Sequence, residues 1–455
     1  MHVPSLSYRQ IAKFWIPLAG TWLMMAVEGP YLAAIIARLG QPTENLAAFG
    51  VAFAFAIIIE APVIMLLAAS TALVEDLGSY IALRRFTYRL SVALTVLQLV
   101  VVLPPAFQWI AGSLLGLPSE VSRLAHQGLV IMLPWPIAIG YRRFRQGLLI
   151  RYNLTRRVAY GTTLRLATMT TAAGLMTQLP NIQGIHVGAA ALAIGVIVEA
   201  ASSRMMTKRL VTKLYDDGSI AADETPLTQS GIWRFYLPLA LTSVLAMAVQ
   251  PTVTFFMGQS RYPLESLAVL PVIHGLTFVF RALGLSYQEV IIALLRENWQ
   301  HRRQLRNFGY ALAAVATGGL GLVVCTPLSS VWFEDISGLS PALATFAVLP
   351  AQILVIFPAG SVWMSFQRAV LVHARQTTPI TWASVLEVAS VALLLFLTVQ
   401  TFAWVGAVAA STAVLIGRLA GNLYLITPVA KAGRQPPAQT PDVPRAKAAS
   451  IADET

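Results

Sequence analysis

Two acidic residues stand inside long apolar segments in the first part of the chain. Glu28 precedes Pro30 by two positions, and Glu60 precedes Pro62 by the same spacing. A carboxyl group is costly to keep charged in apolar surroundings, and a proline removes an amide donor and bends a helix. A carboxyl group beside such a bend can couple the binding of an ion to a change of helix shape. We therefore predict ion coupling at Glu28 and Glu60, with a structural hydrogen bond as the alternative.

A stripe of polar side chains marks a later apolar segment. His274, Arg281 and Gln288 recur at every seventh position, which places them on one face of a helix. An imidazole, a guanidinium and an amide on one face can hold a polar molecule by hydrogen bonds. We predict that these three residues line a substrate cleft; a hydrogen-bond network within a helix bundle is the alternative.

The elements that must position these groups occur twice along the chain. The segment FWIPLA, from Phe14 to Ala19, returns as FYLPLA from Phe235 to Ala240, and Pro30 aligns with Pro251 in the same register. Later matches continue with the register shifted by one position, as where GL at 116–117 aligns with GL at 338–339. Internal repeats of this size are typical of membrane transporters. We predict helix bends at Pro30, Pro62 and Pro251.

The repeat aligns opposite charges at equivalent positions. Glu60 corresponds to Arg281 in the register of the first matches, and Arg165 corresponds to Glu387 in the register of the later ones. If the halves are related by a twofold axis along the membrane normal, equivalent residues lie at equal depth. We predict that Glu60 and Arg281 form a gating charge pair. We predict that Arg165 and Glu387 also belong to charge pairs, which either take part in gating or stabilise the structure. Single and double charge swaps at positions 60 and 281 test the first pair.

The composition excludes a soluble fold. The chain is 56% hydrophobic and 11% charged, with a mean hydropathy of +0.68, and its apolar runs repeatedly reach the roughly 20 residues that cross a bilayer. We predict an all-α integral membrane protein with about twelve transmembrane helices in two pseudo-symmetric six-helix bundles. The predicted spans are 13–38, 45–74, 90–112, 124–148, 158–178, 186–206, 232–258, 265–295, 307–327, 342–366, 378–398 and 402–426.

The basic residues indicate topology and explain the formal charge of +12. They fall in groups along the chain that we assign to one side of the membrane, in short loops beside the spans. One of these groups contains Arg142, Arg143 and Arg145. By the positive-inside rule both termini are cytoplasmic, and nucleic-acid binding is not expected. The predicted domains are an N-terminal lobe (1–207), a cytoplasmic linker (208–230), a C-terminal lobe (231–430) and a disordered tail (431–455).

Signals for other chemistry are absent from the sequence. There is no phosphate-binding glycine-rich loop, no spaced cluster of metal ligands and no nucleophile motif, and Cys325 is a lone cysteine. We therefore expect neither an enzyme nor a cofactor or metal site. Energy for any transport would come from an ion or substrate gradient, with a proton or sodium ion as the coupling ion.

Short motifs in both halves carry a family resemblance. The segment ARLG at 37–40 leads through Glu44 into LAAFG at 46–50, and FRQG at 144–147 is echoed by FQR at 366–368. These segments resemble the multidrug and toxic compound extrusion (MATE) proteins of the multidrug/oligosaccharidyl-lipid/polysaccharide (MOP) exporter superfamily. The FWIPL and FYLPL openings are also similar to its progressive-ankylosis branch. The resemblance implies two six-helix lobes that work by alternating access, with the first, second, seventh and eighth helices lining a cleft.

These observations together predict a function. We expect a secondary active transporter in the bilayer that exports a small organic solute, coupled to protons as in a MATE-like multidrug antiporter. The alternatives are an exporter of organic anions or pyrophosphate, and a flippase for a lipid-linked precursor. We expect a monomer, located in a bacterial inner membrane.

Overall fold

The computed structural model describes residues 6–152, 154–216, 228–295, 301–374 and 376–433. Within these ranges the chain forms helices and connecting turns, with a single isolated β-bridge between Arg261 and Val405. Twelve long helical segments follow one another. They are α1 (Tyr8–Ala37), α2 (Pro42–Leu73), α3 (Leu77–Val102), α4 (Ser119–Ile131 with Trp135–Arg151), α5 (Thr155–Met176), α6 (Gly184–Asp216), α7 (Gln229–Met247 with Val249–Gly258), α8 (Pro263–Leu294), α9 (Arg302–Val324), α10 (Pro341–His373), α11 (Thr378–Leu395) and α12 (Gly406–Ala432).

Most of these helices are built to cross a membrane. Ten are long and apolar enough to span a bilayer, and the bent α4 adds an eleventh. The remaining segment, α5, has 22 residues, which is long enough for a span, but its composition is more polar. On α3 the side chains of Val92, Val96 and Leu99 recur at helical spacing and are about half exposed, as on a helix face turned toward lipid. The chain is an integral membrane protein of the predicted all-α class.

The second helix breaks soon after Glu60, and α7 covers the break. The α-helical pattern stops at Met65, shortly after Pro62. There the backbone carbonyl of Ala61 accepts a hydrogen bond from Ser243 Oγ at 2.7 Å, and the carbonyl of Pro62 accepts one from the hydroxyl of Tyr236. A carbonyl without a partner is expensive at membrane depth, so these side chains stabilise the broken helix.

The same docking contact occurs in the other half of the repeat. Trp15 on α1 donates from Nε1 to the carbonyl of Leu283 on α8 at 3.2 Å, and to Ser286 Oγ at 2.9 Å. In the register that aligns Phe14 with Phe235, Trp15 corresponds to Tyr236 and Pro62 corresponds to Leu283. The first helix of each half is therefore fixed to the second helix of the other half by an equivalent hydrogen bond.

Contacts divide the chain into two compact units that cross the repeat boundary. Among the described residues, one unit joins the chain up to Gly50 and the short segment Leu115–Val121 with residues 252–433; the other joins Val51–Leu114 with Ser122–Pro251. The lobes predicted at 1–207 and 231–430 stay a prediction. Residues 217–227 of the predicted linker and 434–455 of the predicted tail lie outside the described residues.

Two further helix irregularities lie beside prolines, whereas a third proline, Pro30, lies inside the continuous helix α1. A Cβ placed on Gly275 of α8 would lie 2.9 Å from the ring of Pro30, so α1 and α8 approach closely there, and the bend at Pro30 stays a prediction. The seventh helix is interrupted at Ala248, just before Pro251. The two parts of α4 meet at an angle of 43° across 132–134. The interruption of α7 and the bend of α4 occur beside prolines, which leave carbonyls without their amide donors.

We predict that adding one methyl group at Gly147 destabilises the protein. A Cβ there would lie 2.5 Å from the carbonyl oxygen of Leu67 and 2.6 Å from Cβ of Ser70, where α4 packs on α2. Overpacking of this kind costs about 1–3 kcal/mol. At Gly174 on α5 no described residue outside the neighbouring helix backbone comes within 4 Å of the same position, so Gly174→Ala should be neutral or stabilising by about 0.5–1 kcal/mol. Thermal unfolding of both variants in detergent measures the difference, and equal unfolding temperatures would contradict the prediction.

Candidate functional site

Charged side chains from four helices gather inside the N-terminal half. We call this group the N-half cluster. It contains three arginines, two glutamates and one glutamine, drawn from α2, α4, α5 and α6. Its members are Glu60, Arg142, Arg143, Gln146, Arg165 and Glu199.

Glu199 is the centre of the N-half cluster. Its side chain is 1% exposed and accepts hydrogen bonds from Arg142 and, at 3.0 Å, from Gln146 Nε2. Arg165 Nε lies 3.4 Å from its Oε2 atom. One carboxylate therefore joins α4, α5 and α6, and these charge-assisted contacts compensate its removal from water.

Glu60 is the less satisfied acid of this cluster. Arg142, Arg143 and Arg165 lie close enough to interact with it electrostatically. Among the described residues, however, its buried Oε2 atom has no hydrogen-bond partner, and neither has the buried Nε atom of Arg143. A carboxyl oxygen and a guanidinium nitrogen thus remain available in one half-buried region of α2 and α4.

A second group, the C-half cluster, has a larger excess of positive charge. It contains three arginines and one glutamate, with a phenylalanine ring and a serine hydroxyl between them. The side chains come from α8, α10, α11 and α12. Its members are Arg281, Phe357, Ser361, Arg368, Glu387 and Arg418.

Two arginines of this cluster share one aromatic ring. The guanidinium carbon of Arg281 lies 4.6 Å from the ring centre of Phe357, and that of Arg418 lies 5.2 Å from it. Arg418 also forms an ion pair with Glu387, with Nη2 and Oε1 separated by 2.8 Å. Arg281 instead donates from Nε to the hydroxyl oxygen of Ser361 at 3.3 Å.

The two halves hold buried ion pairs of opposite polarity. In the N-half cluster the arginine of the pair is on α5 and the glutamate is on α6, whereas in the C-half cluster the glutamate is on α11 and the arginine is on α12. Arg165 and Glu387 are the positions that the repeat aligns with each other. The structure therefore pairs each of these two predicted residues with the next helix of its own half.

The remaining predicted site residues are spread over α1, α2 and α8. Glu28 is half-buried on α1, and His274 and Gln288 are half-buried on α8, with Arg281 between them along the helix. His274 lies close enough to Arg281 for an electrostatic interaction. Glu60 and Arg281 belong to different compact units, and the gating pair between them stays a prediction.

One part of the sequence interpretation is wrong. The positive-inside assignment places Arg142, Arg143 and Arg145 beside the membrane, but they lie within the helix Trp135–Arg151, and Arg142 and Arg145 are buried. Their burial is possible because Glu199 and Thr207 on α6 accept hydrogen bonds from them. The sequence also did not identify Glu199 on α6 as a site residue. The motif FRQG at 144–147 on α4 was the available signal, because its Gln146 contacts Glu199.

Comparisons with known proteins give a match at the level of fold. No known protein family and no curated protein matches the sequence. The inward-facing conformation of a multidrug resistance MATE family transporter of the MOP superfamily is 13% identical, with 91% of this chain and 96% of that chain covered and a TM-score of 0.65. A MOP superfamily transporter from Pyrococcus furiosus, described as having a binding pocket of reversed polarity, is 14% identical, with coverages of 93% and 96% and a TM-score of 0.58.

The lipid II flippase MurJ in an inward closed conformation matches as well. It is 12% identical, with 92% of this chain and 89% of that chain covered and a TM-score of 0.59. The chain therefore has the fold of MATE family transporters of the MOP superfamily, and the predicted resemblance is confirmed at that level. The two predicted six-helix bundles are consistent with these neighbours, while the progressive-ankylosis branch stays a prediction.

Proposed function

We propose that this protein is a secondary transporter that exports a small organic solute by alternating access. The observation that carries the proposal is the pair of buried charge clusters, one in each half of a chain with the fold of MOP-superfamily transporters. Charged side chains within membrane spans are costly and generally mark the path of a substrate or an ion. Internal repeats are also the architecture from which many secondary transporters are built.

The broken helices support the same proposal. The break in α2 at Met65 follows Glu60 closely, and the bend of α4 precedes Arg142 by about two turns. Interrupted helices allow one part of a bundle to change direction while the other part stays fixed. Binding at Glu60 or at the arginines of α4 would therefore act close to a point where the helix can change direction.

Protons are the coupling ions that we propose. The half-buried carboxyl group of Glu60 has an oxygen without a hydrogen-bond partner among the described residues, and uptake of a proton would neutralise it. Glu28 is the second proposed coupling group, because it lies just before Pro30 near the close approach of α1 and α8. We propose no enzymatic activity, and we propose a monomer in a bacterial inner membrane with both termini in the cytoplasm.

A flippase for a lipid-linked precursor is the second candidate function. It is favoured by the fold likeness to the lipid II flippase MurJ and by the excess of arginine in the C-half cluster. Such a substrate carries phosphate groups, which guanidinium groups bind well. The two functions differ in whether the transported molecule enters from water or from lipid.

Ion coupling is tested by proton flux from acid-loaded proteoliposomes. We expect organic solutes to release protons through the wild type, and Glu60→Gln and Glu28→Gln each to reduce this flux to that of empty liposomes, because an amide cannot bind and release the proton. Glu75→Gln is the matched control, since Glu75 forms an exposed ion pair with Arg151 at 3.1 Å. Normal proton flux in both variants would contradict the proposed coupling groups.

A further inference from the structure

Arg281 differs from the paired arginines of the two clusters because no carboxylate among the described residues forms an ion pair with it. Arg142 and Arg165 contact Glu199, and Arg418 contacts Glu387. In the described part of the chain, Arg281 forms one hydrogen bond, to Ser361, and its closest aromatic contact is the ring of Phe357. It lies near the middle of the 32-residue helix α8, where a cation without a counter-charge is costly.

The surroundings of Arg281 increase this cost. Arg418 and Arg368 lie close enough to repel it, and Glu387, the acid that attracts it within the described ranges, is held by Arg418 at 2.8 Å. Contact with the ring of Phe357 offsets part of the cost, because the face of an aromatic ring attracts a cation. The balance of charge around Arg281 is still positive, which favours a bound anion.

The contacts of Arg281 also hold its guanidinium group in a defined position. Its guanidinium carbon lies over the ring of Phe357, and Nε donates to Ser361 Oγ, whose own hydrogen is donated to the carbonyl of Phe357 at 3.1 Å. The terminal Nη atoms are not used by any of these contacts. Those two nitrogens form the edge that binds a carboxylate or phosphate with two parallel hydrogen bonds.

We propose that Arg281 binds an oxyanion, a carboxylate or phosphate group, of the molecule that the protein transports. This inference rests on the proposed transport function and names the charge of its substrate. Ser361 and Phe357 act as positioning residues, because they orient the guanidinium and do not contact the anion. The oxyanion belongs either to a water-soluble solute or to a lipid headgroup, since both present the same oxygen atoms.

The test for a soluble anion uses the full-length protein in nanodiscs of zwitterionic lipid. Citrate or pyrophosphate is titrated, and the rise in unfolding temperature with concentration yields an apparent Kd. We expect Arg281→Gln to weaken binding by about 10- to 100-fold, because that is the change in Kd expected when hydrogen bonds to a charged group are lost. Arg281→Lys should weaken binding less, because it keeps the positive charge. Arg261→Gln is the matched control, because Arg261 is an exposed arginine that also lies over an aromatic ring, that of Tyr262.

The lipid source is tested in nanodiscs that contain phosphatidylglycerol. Stabilisation by this lipid in the wild type, and its loss in Arg281→Gln, would assign the oxyanion to a headgroup. Stabilisation by citrate or pyrophosphate that depends on Arg281 would assign it to a solute. Equal responses of wild type and Arg281→Gln to all three probes would overturn the proposal.

Two further measurements show whether a lost anion response comes from misfolding of the variant or from failure of the proposed transport function. They are thermal unfolding without anion and flux in proteoliposomes. Without any anion, Arg281→Gln should unfold at the same temperature as the wild type or higher, because it removes an unpaired charge; a clearly lower temperature would identify Arg281 as a structural residue and overturn the proposal. If organic cations drive flux in proteoliposomes while no anion binds, the transport function stands and the anion site falls. If anion binding depends on Arg281 but no solute or lipid is moved, the anion site stands and the transport function falls.

Discussion

Replacing Glu199 with glutamine is expected to destabilise the protein by about 3–5 kcal/mol, the cost of breaking a buried ion pair from one side. The carboxylate is 1% exposed and serves Arg142, Gln146 and Arg165 at once. Glutamine has nearly the same shape but no charge, so the guanidinium groups of Arg142 and Arg165 would lose the carboxylate that they contact directly. The expected result is a large fall in unfolding temperature and poor recovery of folded protein from membranes.

The control for this prediction is Glu75→Gln. Glu75 also pairs with an arginine, Arg151, but both side chains of that pair are well exposed, at 57% and 36%. Exposed pairs contribute about 0–1 kcal/mol, so this variant should unfold close to the wild type. Fluorescence-detected gel filtration after heating measures both variants. Similar unfolding temperatures for the two would mean that Glu199 does not hold α4, α5 and α6 together.

Reversing the charge at Glu387 is expected to be at least as harmful, and a second reversal is expected to repair it. Glu387→Arg would place a guanidinium against Arg418, which now pairs with Glu387 at 2.8 Å. Like charges buried together repel strongly, so we expect a loss of about 3–5 kcal/mol or more. The double variant Glu387→Arg with Arg418→Glu restores one acid and one base and should recover most of the lost stability.

The N-terminal half shows why the reversed polarity is compatible with this fold. There the equivalent helices already carry arginine first and glutamate second, as Arg165 and Glu199. The double variant copies that order into α11 and α12. Thermal unfolding of the two single variants and the double variant forms a complete cycle. A double variant as unstable as Glu387→Arg would show that this site depends on the original direction of the pair, for instance through Arg281.

Several features of the fold were predictable from local patterns. Apolar runs of about 20 residues predict spans wherever the chain must bury its backbone in lipid. The repeat predicts that Trp15 and Tyr236 occupy equivalent places, and both donate a side-chain hydrogen bond to a carbonyl of the second helix, at Leu283 and Pro62. The repeat could not predict that each first helix docks on a helix of the other half, because that choice depends on contacts between distant parts of the chain.

The site was predictable in part. Charges stand out within apolar runs and align between the halves, and this pattern identifies Glu60, Arg281, Arg165 and Glu387. It fails for Arg142, because a basic residue near the end of an apolar run has the same pattern whether it faces interfacial water or a buried acid. The partner of Arg142 lies far away in the sequence, at Glu199, and no local pattern connects the two.

Sequence alone is enough to establish an all-α membrane protein built from two related halves, with charges inside its spans. Those properties follow from composition, run length and repetition, which can be read along the chain. The pairing of these charges required the folded structure, in which Arg418 neutralises Glu387 and Arg281 keeps its charge without a carboxylate among the described residues. The choice of partner depends on how helices rotate and pack against one another, and that packing is a sum of contacts between residues far apart in the sequence.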